Sequence, residues 1–289
     1  MLTTYHIHIK KTKEIEQLYA LLKSDLRNAE IYLNLKGFKF FFPIDIVQLA
    51  QLIISIANRE CSKIALTNAG KYLNGIDLVR FCNTNYVQPN TQSTIPSQTA
   101  MPIKRVEREN MVQYIDSAKS FLSKYCPGKD LTILNIGLSE FINNVYDHAE
   151  SEIGAYVFCQ YYPKSNSIRF AVSDLGVGIP NKVNKYMIIQ NQPAKTSEEC
   201  IRWALEEKKT VKSTPKNAGL GLHTIMSFVK SSQGKIRLLS GNGGLYYSAG
   251  GTEYFFKNPM TDFRGTVIDI EIFVNNLHEI DPEETDFDF

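Results

Sequence analysis

The chain has 289 residues, a net charge of +2, 43% apolar residues and 21% charged residues. That length exceeds what one hydrophobic core usually fills, and a charge so near zero excludes recruitment to nucleic acid or an anionic membrane by net charge. Five cysteines, an odd number with no CxxC pair, fit reduced thiols in a cytoplasmic compartment rather than a disulfide framework.

Residues 1–11 contain no signal-like apolar core, and no apolar run reaches about 18 residues unbroken. The longest candidate, residues 40–57, is interrupted by Pro43, Asp45, Gln48 and Gln51. No membrane segment is expected. Residues 31–35 read as a short buried strand, and residues 44–59 as a helix, because Ile44, Val47, Leu49, Leu52, Ile53 and Ile56 recur at helical spacing. Residues 63–66 read as a second strand and 75–81 as a short helix. Strands alternating with helices predict a small α/β docking unit over residues 1–82. Residues 83–103, rich in Asn, Gln, Thr, Ser and Pro, read as a linker.

A second unit over residues 104–275 is predicted to begin with an amphipathic helix, about 105–125, stopped by Pro127 and Gly128. Strands at 154–162 and 167–173 follow, joined by a turn at 163–166. Residues 181–216 are long, polar and lysine-rich, the composition of a lid with a short helix at 197–208. Lys195, Lys208, Lys209, Lys212 and Lys216 form the charged face of that lid. A helix to Ser231 and three or four strands ending at 265–272 complete the unit. Residues 276–289 form an acidic tail.

Between these elements lies the stretch with the most chemical content. Glu140, Asn144 and Asp147 sit at i, i+4 and i+7, along one side of a helix beginning near Asp130. Leu134, Leu138, Phe141 and Val145 follow the same period on the adjoining stripe, which faces a core. Gly137 is expected to leave the polar side free of bulk, and His148 to cap or pack locally. A carboxylate and an amide one turn apart suit a hydrated magnesium ion and an oriented water. Asp174, at a strand end, offers an acceptor for an exocyclic amine, with Gly176 and Gly178 allowing close backbone approach. Gly219 and Gly221, with Leu222, open a helix whose N-terminus favours phosphate.

In order and spacing these motifs resemble the GHKL (histidine-kinase-like) ATPase family over about residues 105–275. Glu140, Asn144 and Asp147 resemble its N-box. Asp174, Gly176 and Gly178 resemble its adenine box, and Gly219 and Gly221 its second glycine box. Gly265 and Thr266 resemble the box whose threonine supports the adenine carboxylate. The resemblance implies an α/β (α+β) two-layer sandwich, with a mixed sheet and helices on one face, known as the Bergerat fold. It implies ATP and Mg as ligands, with Asn144 holding magnesium, Glu140 as general base and Asp174 reading adenine. Thr266 would support Asp174, backbone groups at Gly219, Gly221 and Leu222 would hold phosphate, and residues 181–218 would form the lid.

Residues 30–82 resemble a STAS-like module, with Phe42, Pro43, Ile44 and Asp45 where a phosphorylatable serine would stand. Phospho-switching of that unit is therefore not expected. The functional expectation is a slow ATPase acting as a conformational switch toward a protein partner. The alternatives are a serine protein kinase resembling anti-sigma factors and a nucleotide-gated binder without turnover. Homodimerisation is a further implication of the resemblance.

Overall fold

The computed structural model describes residues 2–10, 12–36, 41–59, 63–82, 97–149, 151, 154–206, 221–260 and 263–280. Three strands, β1 (Thr3–His8), β2 (Ala29–Asn34) and β3 (Lys63–Thr67), form a parallel sheet in that order. Parallel neighbours need crossovers. The first carries helix α1 (Glu16–Leu21) and the second α2 (Pro43–Ala57). On β2, Ala29, Ile31 and Leu33 turn inward while Glu30, Tyr32 and Asn34 lie on the outer side, the alternation of a half-covered sheet. Two short helices, α3 (Lys71–Gly75) and α4 (Leu78–Cys82), follow where one was predicted. Asp77, at φ +65°, breaks the helix between them.

Helix α2 is buried along its whole length except at Ile54 and Ser55. A helix apolar all round belongs between two layers. Here one layer is the parallel sheet and the other a seven-stranded sheet. Pro43 occupies the first turn, where its missing N–H is harmless, and the Asp45 carboxylate accepts the Phe42 N–H at 3.0 Å. The Phe42 ring lies 4.3 Å from the Arg169 guanidinium of the second sheet, a cation–π contact that fixes this end of the helix.

The second sheet contains β4 (Lys104–Val106), β5 (Ala155–Tyr162), β6 (Ser167–Asp174), β7 (Lys235–Ser240), β8 (Gly243–Tyr247), β9 (Glu253–Lys257) and β10 (Thr266–Phe273). Their order is β4-β5-β6-β10-β7-β8-β9. Every pairing is antiparallel, so the expected mixed sheet is corrected. The last strand, β10, inserts between β6 and β7 and runs antiparallel to both.

Helices α5 (Met111–Ser123), α6 (Thr132–Asn144) and α9 (Gly221–Ser231) cover one face through Val157, Cys159, Phe170, Val172, Ile268 and Ile270. The alternate residues Tyr156, Phe158, Ala171 and Val267 meet α1 and α2 on the other face. Helices therefore lie on both faces of this sheet, α5, α6 and α9 on one and α1 and α2 of the N-terminal unit on the other. The continuous apolar runs in β5 and β6 are the sequence signature of a sheet buried on both sides. The chain is of mixed α/β class.

Other boundaries also differ from expectation. Residues 104–106 are a strand rather than the start of a helix. Residues 99–101 run along β5, with Met101 N–H donating to Cys159 O at 3.0 Å and Tyr161 N–H to Thr99 O at 2.8 Å. Residues 83–96, the rest of the expected linker, lie outside the described residues. Much of the expected lid is folded: α7 (Gly178–Ile189) and α8 (Ser197–Leu205) pack together through Val183, Met187 and Cys200. Thr196 caps α8, its hydroxyl accepting Glu199 N–H at 3.2 Å. Residues 207–220 lie outside the described residues, as do residues 281–289 of the acidic tail.

Among the described residues, Cys82, Cys126, Cys159 and Cys200 are buried free thiols, and burial pushes Cys126 and Cys200 up to about 11. No described helix is long and apolar enough to cross a membrane.

The position of α2 generates a prediction. Removing residues 1–82 uncovers Tyr156, Phe158, Ala171 and Val267 together, an apolar face too large for a soluble monomer. The truncated chain should aggregate or bind a hydrophobic dye strongly, and the full chain should do neither. A monodisperse, dye-negative fragment in size-exclusion chromatography would show that the two layers are separable.

Candidate functional site

Asp174 ends β6 and Thr266 begins β10, and the antiparallel register sets them opposite each other. Asp174 is only 3% exposed. Its Oδ1 accepts the Gly176 N–H at 2.7 Å, and the backbone at Thr266 supplies a second favourable interaction. Burial outweighs both and pushes the carboxyl up to about 7. A carboxylate removed from water in this way gains from any further donor brought to it.

The Thr266 and Ser240 hydroxyls are 2.8 Å apart. Ser240 also accepts the Ile179 N–H at 2.8 Å, and its hydroxyl lies 3.1 Å from Gly265 O. Ser240 was not foreseen. Its signal was weak: a single hydroxyl closing the apolar strand β7 just before Gly241.

Three glycines hold this corner for packing reasons. A Cβ on Gly176 would lie 1.9 Å from Ala149 O, and one on Gly265 would lie 2.0 Å from Asp174 O. Gly265 and Gly178 also have φ of +84° and +76°. The missing side chain of Gly176 is demanded by the protein's own Ala149 carbonyl. Val177 N–H donates to that same carbonyl at 2.8 Å. The 174–178 turn is in this way pressed onto the end of the helix carrying Glu140 and Asn144.

That helix, α6, buries Leu134, Leu138, Phe141 and Val145 as predicted from their spacing. Gly137 faces the sheet, where a Cβ would meet the Phe170 ring at 3.3 Å, rather than freeing the polar side. Glu140 and Asn144 are half-buried and one turn apart. After Asn144 the helix widens into a π-helical turn, Val145–Ala149. Such a turn rotates later positions away from the α-helical line, and Asp147 pairs with Arg108. Tyr146 anchors the turn, its hydroxyl donating to Val106 O at 2.8 Å or to a Glu107 oxygen at 2.7 Å.

Gly221 is the first residue of α9, which packs beside α6, and Leu222 is partly buried against the core shared with it. Gly219, Lys208, Lys209, Lys212 and Lys216 lie outside the described residues, and the side chain of His148 is not described. Lys195 N–H donates to Asn184 Oδ1 at 2.8 Å, tying the segment between α7 and α8 to α7. A separate cleft of about 190 Å³ runs between α8 and α9, lined by Arg202, His223, Met226, Lys230 and Glu253 among others, and none of the motif residues lines it.

The structure therefore brings Asp174, Gly176, Gly178 and Thr266 together with the end of the Glu140–Asn144 helix, while Asp147 is tied to Arg108. A buried acceptor can bind a base through an amine, and a half-buried carboxylate and amide one helical turn apart can orient a water near a polar ligand. Comparison with models of known protein families and with curated protein sequences found no match to this chain.

Two outcomes test this geometry. The ordinary carboxyl value is 3.8 and the folded value about 7, so the folded state holds the extra proton between them. That contribution is fully present below the lower value and is lost as pH rises through the upper one, with a limiting slope of about 1.4 kcal/mol per pH unit. Asp174→Asn should therefore gain stability relative to the parent between about pH 4 and about pH 7. Parallel melting-temperature profiles would refute the shift. Gly176→Ala should destabilise by about 3 kcal/mol in denaturant titration through overlap with Ala149. Gly70→Ala, whose added Cβ meets nothing within 4 Å, should stay within about 0.5 kcal/mol of the parent.

Proposed function

We propose that the chain binds adenosine triphosphate with magnesium in a GHKL-like fold and hydrolyses it slowly, as a conformational switch. The observation that carries this reading is the buried Asp174 carboxylate, set opposite Thr266 and joined through the Gly176–Ala149 contact to the helix bearing Glu140 and Asn144. The spacing of these residues in the sequence, and its resemblance to the GHKL boxes, supports the same assignment.

In this reading Asp174 accepts the exocyclic amine of adenine. The donor compensates a carboxylate that burial has left poorly solvated, so base binding favours its ionised form. Thr266 and Ser240 fix the strand ends around it. Glu140 orients a water and takes its proton, while Asn144 offers its amide oxygen to the metal. Among the described residues no three His, Cys, Asp or Glu side chains are gathered to hold a metal by themselves. The proposed magnesium would be held by Asn144 together with phosphate oxygens and water, the usual arrangement for this ion. When bound, it supplies neutralisation of phosphate charge. Gly221 and Leu222 contribute the N-terminus of α9, whose N–H groups and dipole favour an anion.

The test is direct. Calorimetry should detect ATP binding in the presence of magnesium, and a phosphate-release assay should detect slow turnover. Glu140→Gln should lower turnover by about 10²–10⁴-fold while ATP affinity changes little. Asp174→Asn should weaken ATP binding about tenfold or more, the loss expected for a charged hydrogen-bond partner. Unchanged turnover in the first variant together with unchanged affinity in the second would sink the assignment. Label transferred from ATP to a protein, with no free phosphate, would replace hydrolysis by kinase activity.

A further inference from the structure

Strand β9 forms one edge of the seven-stranded sheet, and its five residues carry opposite charges at their two ends, Glu253 and Lys257. On its inner side it pairs with β8, Tyr254 opposite Tyr246 and Phe256 opposite Gly244. The bonds that continue this ladder past its ends, Asn258 N–H to Asn242 O at 2.8 Å and Ser248 N–H to Thr252 O at 2.9 Å, join even-numbered residues. Hydrogen-bonded pairs alternate along an antiparallel ladder. The main-chain groups of Tyr254 and Phe256 are therefore turned to β8, and those of Glu253, Phe255 and Lys257 to the open edge. Among the described residues no strand pairs with that edge. Tyr254 is 61% exposed and Tyr246 40%, and the Tyr254 and Phe256 rings stack with centroids 5.9 Å apart. On the other face the Arg202 guanidinium lies 3.9 Å from the centre of the Phe255 ring, and Lys230 Nζ donates to Glu253 Oε2 at 3.2 Å.

An exposed aromatic edge is a template for another strand, and proteins commonly blunt one with charge. The charges of β9 are spaced to attract a copy of the same strand. Antiparallel self-pairing has to bring outward-facing groups together, so its two-fold axis passes beside residue 253, 255 or 257. Centred on 253 it sets Glu against Glu, and centred on 257 it sets Lys against Lys. Centred on Phe255 it sets each Glu253 opposite Lys257 of the second copy, and each Tyr254 opposite the other Phe256. We propose that β9 is a self-association surface whose occupant is β9 of a second copy, joined antiparallel about Phe255 into one sheet shared by both. The pairing closes about six main-chain hydrogen bonds, with an ion pair and an aromatic pair on each side of the axis. Glu253 keeps Lys230, since a carboxylate accepts from more than one donor. Because the same patch serves both copies, this contact closes at a dimer. The opposite edge, β4, has three residues and offers no comparable length. None of the residues assigned to the nucleotide lies on β9, so the inference is independent of that reading.

Sedimentation of the full-length chain between about 1 and about 300 µM should show a monomer–dimer equilibrium with a dissociation constant of about 10⁻⁵ M, the weak end expected of so small a contact. Lys257→Glu turns both attractive pairs into Glu against Glu and should weaken association about tenfold or more. Glu253→Lys, which sets Lys against Lys, should do the same. The double variant, Glu253→Lys with Lys257→Glu, restores opposite charges and should associate nearly as well as the parent. Loss of the Lys230 contact or general damage to the strand would give no such rescue. Amide hydrogen exchange supplies a second readout on the parent itself. As concentration rises, the N–H groups of Glu253, Phe255 and Lys257 should slow, while those of Tyr254 and Phe256, already bonded to β8, should not change. If a charge variant fails to fold by circular dichroism, that alternating pattern still decides. A parent that stays monomeric throughout overturns the proposal. So does a dimer that both single variants leave intact, because it would be using another surface.

Discussion

The structure depends on one helix being buried on both sides. Helix α2 fills the space between a parallel sheet and the inner face of a seven-stranded antiparallel sheet, and almost all of its side chains are removed from water. Burial at roughly 25 cal/mol per Å² makes such a helix a source of cohesion between the layers. It also has a cost, because Asp45, Gln48 and Gln51 are buried with it. Asp45 meets that cost by accepting Phe42 N–H, and Gln48 by bonding Tyr19 and Ile44. Gln51 is fully buried with them.

The antiparallel sheet presents its chemistry where two strands end together. Asp174 and Thr266 are opposite each other by register, so neither depends on a flexible loop for its position. Gly265 and Gly176 remove the two side chains that would push the neighbouring segments apart. Close packing therefore does two jobs at this corner. It strips water from a carboxylate, raising its affinity for protons, and it ties that carboxylate to the helix carrying Glu140 and Asn144. Both effects have the same origin in the missing Cβ atoms.

Much of this was legible from residue pattern. The spacing of Leu134, Leu138, Phe141 and Val145 revealed the buried stripe of α6, and the apolar runs flanking the 163–166 turn revealed β5 and β6. Three things were not legible, each for a physical reason. Short elements such as β1, α1 and β4 carry too few periods to stand out, and the histidines of β1 hide its alternation. Helix α7 contains Pro180, which reads as a breaker but sits in the first turn, where proline is tolerated. The π-helical turn after Asn144 is invisible to a period of 3.6, so Asp147 was assigned to the line of Glu140 and Asn144 although it pairs with Arg108. Pairing order is a long-range property, and the antiparallel topology could not be read from any one strand.

The polar residues interrupting the apolar run of α2 carry a more general point. Read locally, Pro43, Asp45, Gln48 and Gln51 argue against a membrane span, and that inference needs only composition. Read in three dimensions, Pro43 starts the helix, Asp45 caps it and Gln48 ties it to α1. The N-terminal layer shares one apolar core with the sheet that ends at Asp174 and is not an appendage to it.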